Sequence, residues 1–364
     1  MSHAPACPPD LAALLAEIGP RWAQDIRGAS EAVKQAYAPL LAAAPRDGVR
    51  VLHDLGYGTH PRQRLDLFLP AVAATPAAAA AAPASANSAA SAAGAGPDGA
   101  RLAPLVVFVH GGAFIRGDRS QPSGIYDNVL TWFARQGLVG VNVEYRLAPE
   151  APFPGGVDDL ALALGWLQQH ARAYGGDPRR LLLIGHSAGG THVASYVFDP
   201  RLGHLGRGVT AAVLISARLM ADVAAENPNA GGVRAYFGDD PARYAERSPI
   251  SHAGCSDLPT FVVIAGYENP LLDRYGIEFA SRLAQARRRA PWLLQLPQHN
   301  HISIVAHFNT GEETLGRAIL EFFDAACREA SSREASSHEA SGHEASGHDA
   351  SRCEASRREA SGRA

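Results

Sequence analysis

Two short stretches combine residue types and spacing that could do chemistry. The first is Gly185-His186-Ser187-Ala188-Gly189-Gly190, a Gly-x-Ser-x-Gly pattern directly after the apolar run Leu181 to Ile184. A serine on a tight strand-to-helix turn is held in a strained backbone conformation, with its hydroxyl projecting above the sheet edge. Glycines on either side let the chain turn without side-chain collision. The helix that follows offers unpaired N–H groups and a partial positive charge, which favour a developing oxyanion. The second stretch is His110-Gly111-Gly112-Ala113-Phe114, at the end of the apolar run Leu105 to Val109. Adjacent glycines there allow the backbone to approach a substrate carbonyl and aim N–H groups at it. A nucleophile turn and a second, independent source of main-chain donors make up the parts of acyl transfer by a serine.

Such groups must be carried by a rigid frame. Leu105 to Val109 is apolar without a break, the mark of a strand buried on both faces. Similar runs lie at 138–143, 181–184, 211–215, 260–265 and 292–296. Arg64 to Leu69 alternates leucine with other residues and reads as an early antiparallel strand with one buried face. Helical stretches intervene near 125–136, 157–173, 188–198, 271–289 and 312–327; in the second, Val157, Leu160, Leu164 and Leu167 recur at helical spacing. This alternation predicts an α/β fold, a mostly parallel, doubly wound sheet with helices on both faces.

Two segments stand apart. Residues 71–100 are Ala with Pro, Ser and Gly, and lack the apolar area needed to offset ordering entropy; a surface insertion is expected. From Glu329 onward a pentad, (Glu/Asp)-Ala-Ser-x-x, repeats seven times, with only Ala to pack, so 329–364 reads as a disordered tail. His338, His343 and His348 stand five apart in it, which reads as repeat expansion and not as a metal site.

Over 364 residues, 33 Lys+Arg against 36 Asp+Glu give a formal net charge of -3, which excludes an electrostatic nucleic-acid partner. Cys7, Cys255, Cys327 and Cys353 are far apart, without the close pairs of a zinc site, and read as free thiols in a reducing compartment. No apolar run reaches the roughly 18 to 20 residues of a membrane span, and the N-terminus carries no basic, signal-like region. The expectation is a cytoplasmic protein with no membrane partner.

HGGAF, then YRLAPEAPFP, then GGDPRR ahead of GHSAGG, in that order, resemble the α/β-hydrolase superfamily. Within it the pattern is most similar to the hormone-sensitive-lipase-like carboxylesterases and the related kynurenine formamidase-like group, from about residue 50 to 327. The resemblance implies a Ser–acid–His triad, no cofactor, no metal and a small ester or formamide as substrate, and it leaves self-association open. Three segments are expected from the sequence. Residues 1–48 form a helical part placed to cap the cleft, 49–328 form the catalytic domain interrupted by 71–100, and 329–364 form the tail.

In this family the histidine follows the last strand. His301, in Gln298-His299-Asn300-His301-Ile302-Ser303, matches the Asn-His-x-Ser position; His299 ranks second, and His307 reads as a packing residue. The acid departs from the lipase-like pattern. Asn269 stands immediately before Pro270, where Asp is usual, and an amide cannot stabilise an imidazolium. The formamidase-like spacing, two residues before the proline, lands on Glu268, with Asp273 as the fallback. The implied site is Ser187, His301 and Glu268, with oxyanion donors from Gly111, Gly112 and Ala188.

Three functions follow from these residues: a carboxylic-ester hydrolase first, an arylformamidase second, and a non-catalytic ligand-binding protein on the same scaffold third. Tyr145-Arg146 reads either as support for the oxyanion loop or as an ion pair. Asp158-Asp159 reads as helix surface, because adjacent helical residues point apart. Arg287-Arg288-Arg289 reads as a solvated helix end.

Overall fold

A computed structural model of the chain describes residues 7–71, 102–121 and 123–340. Most of the expected insertion and the end of the tail lie outside these residues. The apolar runs form strands: β1 (Val49–Gly56), β2 (Arg64–Pro70), β3 (Ala103–Val109), β4 (Val139–Val143), β5 (Gly176–His186), β6 (Ala211–Ile215), β7 (Thr260–Tyr267) and β8 (Trp292–Asn300). They make one sheet in the order β1-β2-β4-β3-β5-β6-β7-β8. β1, β2 and β4 pair antiparallel; every pairing from β4 through to β8 is parallel.

The helices are α1 (Pro9–Ile18), α2 (Ile26–Ala43), α3 (Ile125–Arg135), α4 (Gly155–His170), α5 (Ala188–Phe198), α6 (Ala230–Phe237), α7 (Tyr244–Arg247), α8 (Leu272–Arg287), α9 (Ser303–Ala306) and α10 (Thr314–Ala340). Strand alternation sends Leu105, Val107, Leu181 and Leu183 to one face, where Leu160 of α4, Val193 of α5 and Phe279 of α8 cover them. Val106, Phe108, Leu182 and Ile184 point to the other face, under Val129 of α3, Phe322 of α10, and Leu15 and Tyr37 of α1 and α2. A sheet covered on both faces explains why the central strands have no polar side.

Four features differ from the sequence reading. β2 is buried on both faces, not one, because the sheet is covered on both sides there: Leu65, Leu67 and Leu69 join one core, Phe68 packs under α3 on the other face, and Asp66 is fully buried against Arg119. α10 continues past 328 to Ala340, through the first pentads. Ala, Glu and Arg are good helix formers, and an Arg333–Glu329 pair one turn apart adds support. Asp159 is not surface: it is fully buried, bonded to Arg146 and Gln63, whereas Asp158 faces out. Cys255 is disulfide-bonded, and only Cys7 and Cys327 are free thiols among the described residues. Separation along the chain says nothing about approach in space.

The N-terminal helices lie on a sheet face and contribute Leu11, Leu15, Val33 and Leu41 to its core. The 3-10 turn between them, Gly19–Gln24, reaches the end of β7. No described helix is long and apolar enough to cross a membrane.

Candidate active site

The site is assembled at the C-terminal ends of β3, β5, β7 and β8, where parallel strands leave their loops on one edge. Ser187 joins β5 to α5 with φ 55° and ψ -119°, a conformation that costs a residue with a Cβ energy. The surrounding packing enforces it. Ser187 N–H donates to the Ile215 carbonyl at 3.0 Å, and its own carbonyl accepts from Arg218 N–H at 3.2 Å. Gly189 lies so close to β3 that a Cβ there would sit 2.1 Å from the Val109 carbonyl oxygen.

His301 follows β8, and Glu268 follows β7, both buried. His301 Nε2 lies 3.0 Å from Ser187 Oγ, and Nδ1 lies 2.8 Å from Glu268 Oε2. A carboxylate only accepts, so Nδ1 carries the proton and Nε2 is left to accept from the serine hydroxyl. Glu268 Oε1 accepts from Ala265 N–H at 2.8 Å, which fixes the carboxylate plane. His301 N–H donates to the Tyr267 carbonyl at 3.1 Å. His186, fully buried behind the turn, bonds through Nε2 to the His301 carbonyl at 3.0 Å. Burial, then the neighbouring His301, holds His186 well below the ordinary histidine range, so it is neutral.

The other candidates go elsewhere. Asp273 is exposed in the first turn of α8, where its carboxylate accepts from Arg274 N–H. His299 bonds Ser303 and Glu312, and His307 bonds the Ser303 carbonyl. Asn269 is buried and accepts from the Trp22 indole N–H at 2.9 Å, so its amide anchors the N-terminal turn. Gly19 of the same turn packs against the Tyr267 ring.

The Gly111–Gly112 turn faces the serine: a Cβ on Gly111 would stand 2.9 Å from Ser187 Cβ. Ala188 is the first residue of α5, so its N–H has no acceptor within the helix. A buried network supports the glycine turn. His110 stacks on Tyr145 with ring centroids 4.4 Å apart, and the Tyr145 hydroxyl donates to the His110 carbonyl at 2.8 Å. His110 Nε2 lies 3.0 Å from Glu144, which also accepts from Arg119 N–H and pairs with Arg62. Burial pushes Glu144 up, but the His110 hydrogen bond and these cations bring it below the usual carboxylate value. Tyr145 thus supports the loop while Arg146 pairs with Asp159, so both readings of that dipeptide hold at once. Glu144 and Arg62 went unread in the sequence; a lone carboxylate ending an apolar strand was the available signal.

Among the described residues no group of three or more His, Cys, Asp or Glu is arranged to hold a metal ion. Arg287 bonds the Ser256 and Leu258 carbonyls and so ties α8 to a loop.

Comparison with known proteins agrees with the motif resemblance. A stretch of 218 residues is 32% identical to the esterase LipI of Mycobacterium tuberculosis, covering 52% of this chain and 62% of that one. A stretch of 89 residues is 44% identical to the carboxylesterase NlhH of the same species, covering 24% and 26% of the two chains. The matches thus span less than two thirds of these relatives. Among solved structures, a bacterial heroin esterase superposes with a TM-score of 0.57 at 26% identity, over 90% of this chain and 99% of that one. Esterase B from Lactobacillus rhamnosis gives 0.62 at 20% identity, over 88% and 99%, a likeness of fold. Residues 106–302, more than half of the chain, match a family model described as the alpha/beta hydrolase fold, and the chain belongs to that family.

Proposed function

We propose that the protein is a serine hydrolase that cleaves small carboxylic esters. The observation that carries this reading is the chain of hydrogen bonds from Ser187 through His301 to Glu268, at 3.0 and 2.8 Å. In this mechanism His301 takes the Ser187 proton as the oxygen attacks the ester carbonyl. Glu268 keeps the proton on Nδ1 and offsets the transient imidazolium charge. Main-chain N–H groups of the Gly111–Gly112 turn and Ala188 receive the oxyanion; losing one such donor costs about two to three powers of ten in turnover. His301 then returns its proton to the alcohol leaving group. An acyl-Ser187 remains, and water activated by His301 displaces it. The names of the relatives, esterase and carboxylesterase, favour the same reaction class.

A second reading, hydrolysis of an N-formyl bond, uses the same steps and is favoured by the acid at Glu268, two residues before Pro270. A non-catalytic reading drew on Asn269, whose amide bonds Trp22 and has no part in holding His301. The test is turnover of p-nitrophenyl acetate and of N-formylkynurenine by wild type and Ser187→Ala. Wild-type hydrolysis is expected to vanish in Ser187→Ala with the circular dichroism spectrum unchanged, and the better substrate separates ester from formamide. Undiminished turnover in the folded variant would refute the nucleophile assignment.

A further inference from the structure

Beneath the His301 turn lies a second array of the same three residue types, wholly separate from the first. His299 Nδ1 stands 3.0 Å from Ser303 Oγ, and His299 Nε2 stands 2.9 Å from Glu312 Oε1. Ser303 is fully buried and His299 is bonded on both ring nitrogens, to Ser303 and Glu312. Further bonds run to the backbone around His301. Ser303 Oγ accepts from Asn300 N–H at 2.9 Å. Asn300 Oδ1 returns the favour, accepting from Ile302 N–H at 3.1 Å and Ser303 N–H at 2.9 Å. This reciprocal capping box closes a turn with His301 at its apex. The hydrogen-bond roles are consistent: Nε2–H of His299 donates to Glu312, and Nδ1 accepts the Ser303 hydroxyl proton, leaving the serine oxygen to accept from Asn300.

We propose that Glu312, His299 and Ser303 are positioning residues for His301, a buried hydrogen-bond chain that fixes the turn presenting its imidazole to Ser187 and Glu268. This inference rests on His301 being the general base proposed above. Its physical basis is the sensitivity of proton transfer to placement, since a shift of about 1 Å can cost 10²-fold in rate. Burial pushes Glu312 up, but the His299 hydrogen bond outweighs it, so the carboxylate stays ionised and holds the far end of the chain. His307 stacks near His299 with centroids 4.7 Å apart, and its Nδ1–H donates to the Ser303 carbonyl at 3.0 Å, adding a second hold on the same residue.

The experiment compares kcat and KM on p-nitrophenyl acetate for wild type, Ser303→Ala, Glu312→Ala, Glu312→Gln and Ser187→Ala. Ser303→Ala and Glu312→Ala are expected to lower kcat about tenfold with KM unchanged. Glu312→Gln keeps an acceptor for His299 and should retain near wild-type kcat. Should Ser303→Ala fail to fold, the two Glu312 variants, at the partly exposed end of the chain, carry the comparison alone. Wild-type kcat in the folded alanine variants would overturn the positioning role. Turnover surviving in Ser187→Ala would overturn the nucleophile reading itself, a distinguishable failure.

Discussion

At the scale of single residues, the chemistry depends on which carboxylate faces Nδ1 of His301. Glu268 does so, and its neighbour Asn269 binds Trp22 instead. Ala265 N–H fixes the second oxygen of Glu268. Glu268→Gln keeps the shape but removes the charge that offsets the imidazolium. Its kcat is expected to fall by about 10³ to 10⁴, while Asp273→Asn, on an exposed helix turn, should match wild type. Steady-state turnover of a short ester checks both. Ser187 was legible from its glycine frame and His301 from its sequence context. Glu268 was preferred over Asp273 from its spacing before Pro270; packing turns its carboxylate inward to His301 and leaves that of Asp273 exposed.

At the scale of elements, the loops after β7 and β8 are held from outside the sheet. The turn Gly19–Gln24 sets Trp22 on Asn269 and Gly19 on the Tyr267 ring, so both neighbours of Glu268 are pinned by a segment nearly 250 residues away. Trp22→Phe keeps most of the buried ring but leaves the Asn269 oxygen without its donor, at a cost of about 1–3 kcal/mol. Thermal melts should show a lower Tm, and hydrogen exchange should rise first in residues 9–24. Restoration of wild-type exchange in that variant would remove the anchor. The apolar runs announced the central strands because both of their faces are covered. β1 lacked such a signal: it is one of the two edge strands, none of its residues is buried, and its pattern is therefore mixed. α6, only eight residues long and glycine-rich, was equally silent, yet it places Tyr236 on Phe114 of the oxyanion loop with centroids 4.7 Å apart.

At the scale of the whole molecule, three histidines are buried uncharged. Burial lowers His192 to about 3 and His307 to about 4, and holds His186 well below its ordinary value. In the unfolded chain each titrates near 6.5. Below that pH the unfolded state binds protons that the folded state refuses, so stability falls as pH falls. The slope is about 1.4 kcal/mol per pH unit for each histidine, until its folded-state value is reached. Urea midpoints measured between pH 7.5 and 5 should therefore drop steeply, and a flat profile would contradict the burial of these rings. His307 was read as a packing residue, but the burial of His186 and His192 could not be foreseen, since an isolated histidine in a sequence carries no mark of its surroundings. The amino-acid order alone determined the strand–helix alternation, the tight turn at Ser187 and the Gly111–Gly112 turn, because each is a local pattern whose steric demand is met by neighbours in the chain. Only the tertiary structure decided where Asn269 points, and that Glu144, Glu312 and Trp22 support the site. Those are contacts between distant segments, fixed by packing and hydrogen-bond geometry, and chain spacing does not encode them.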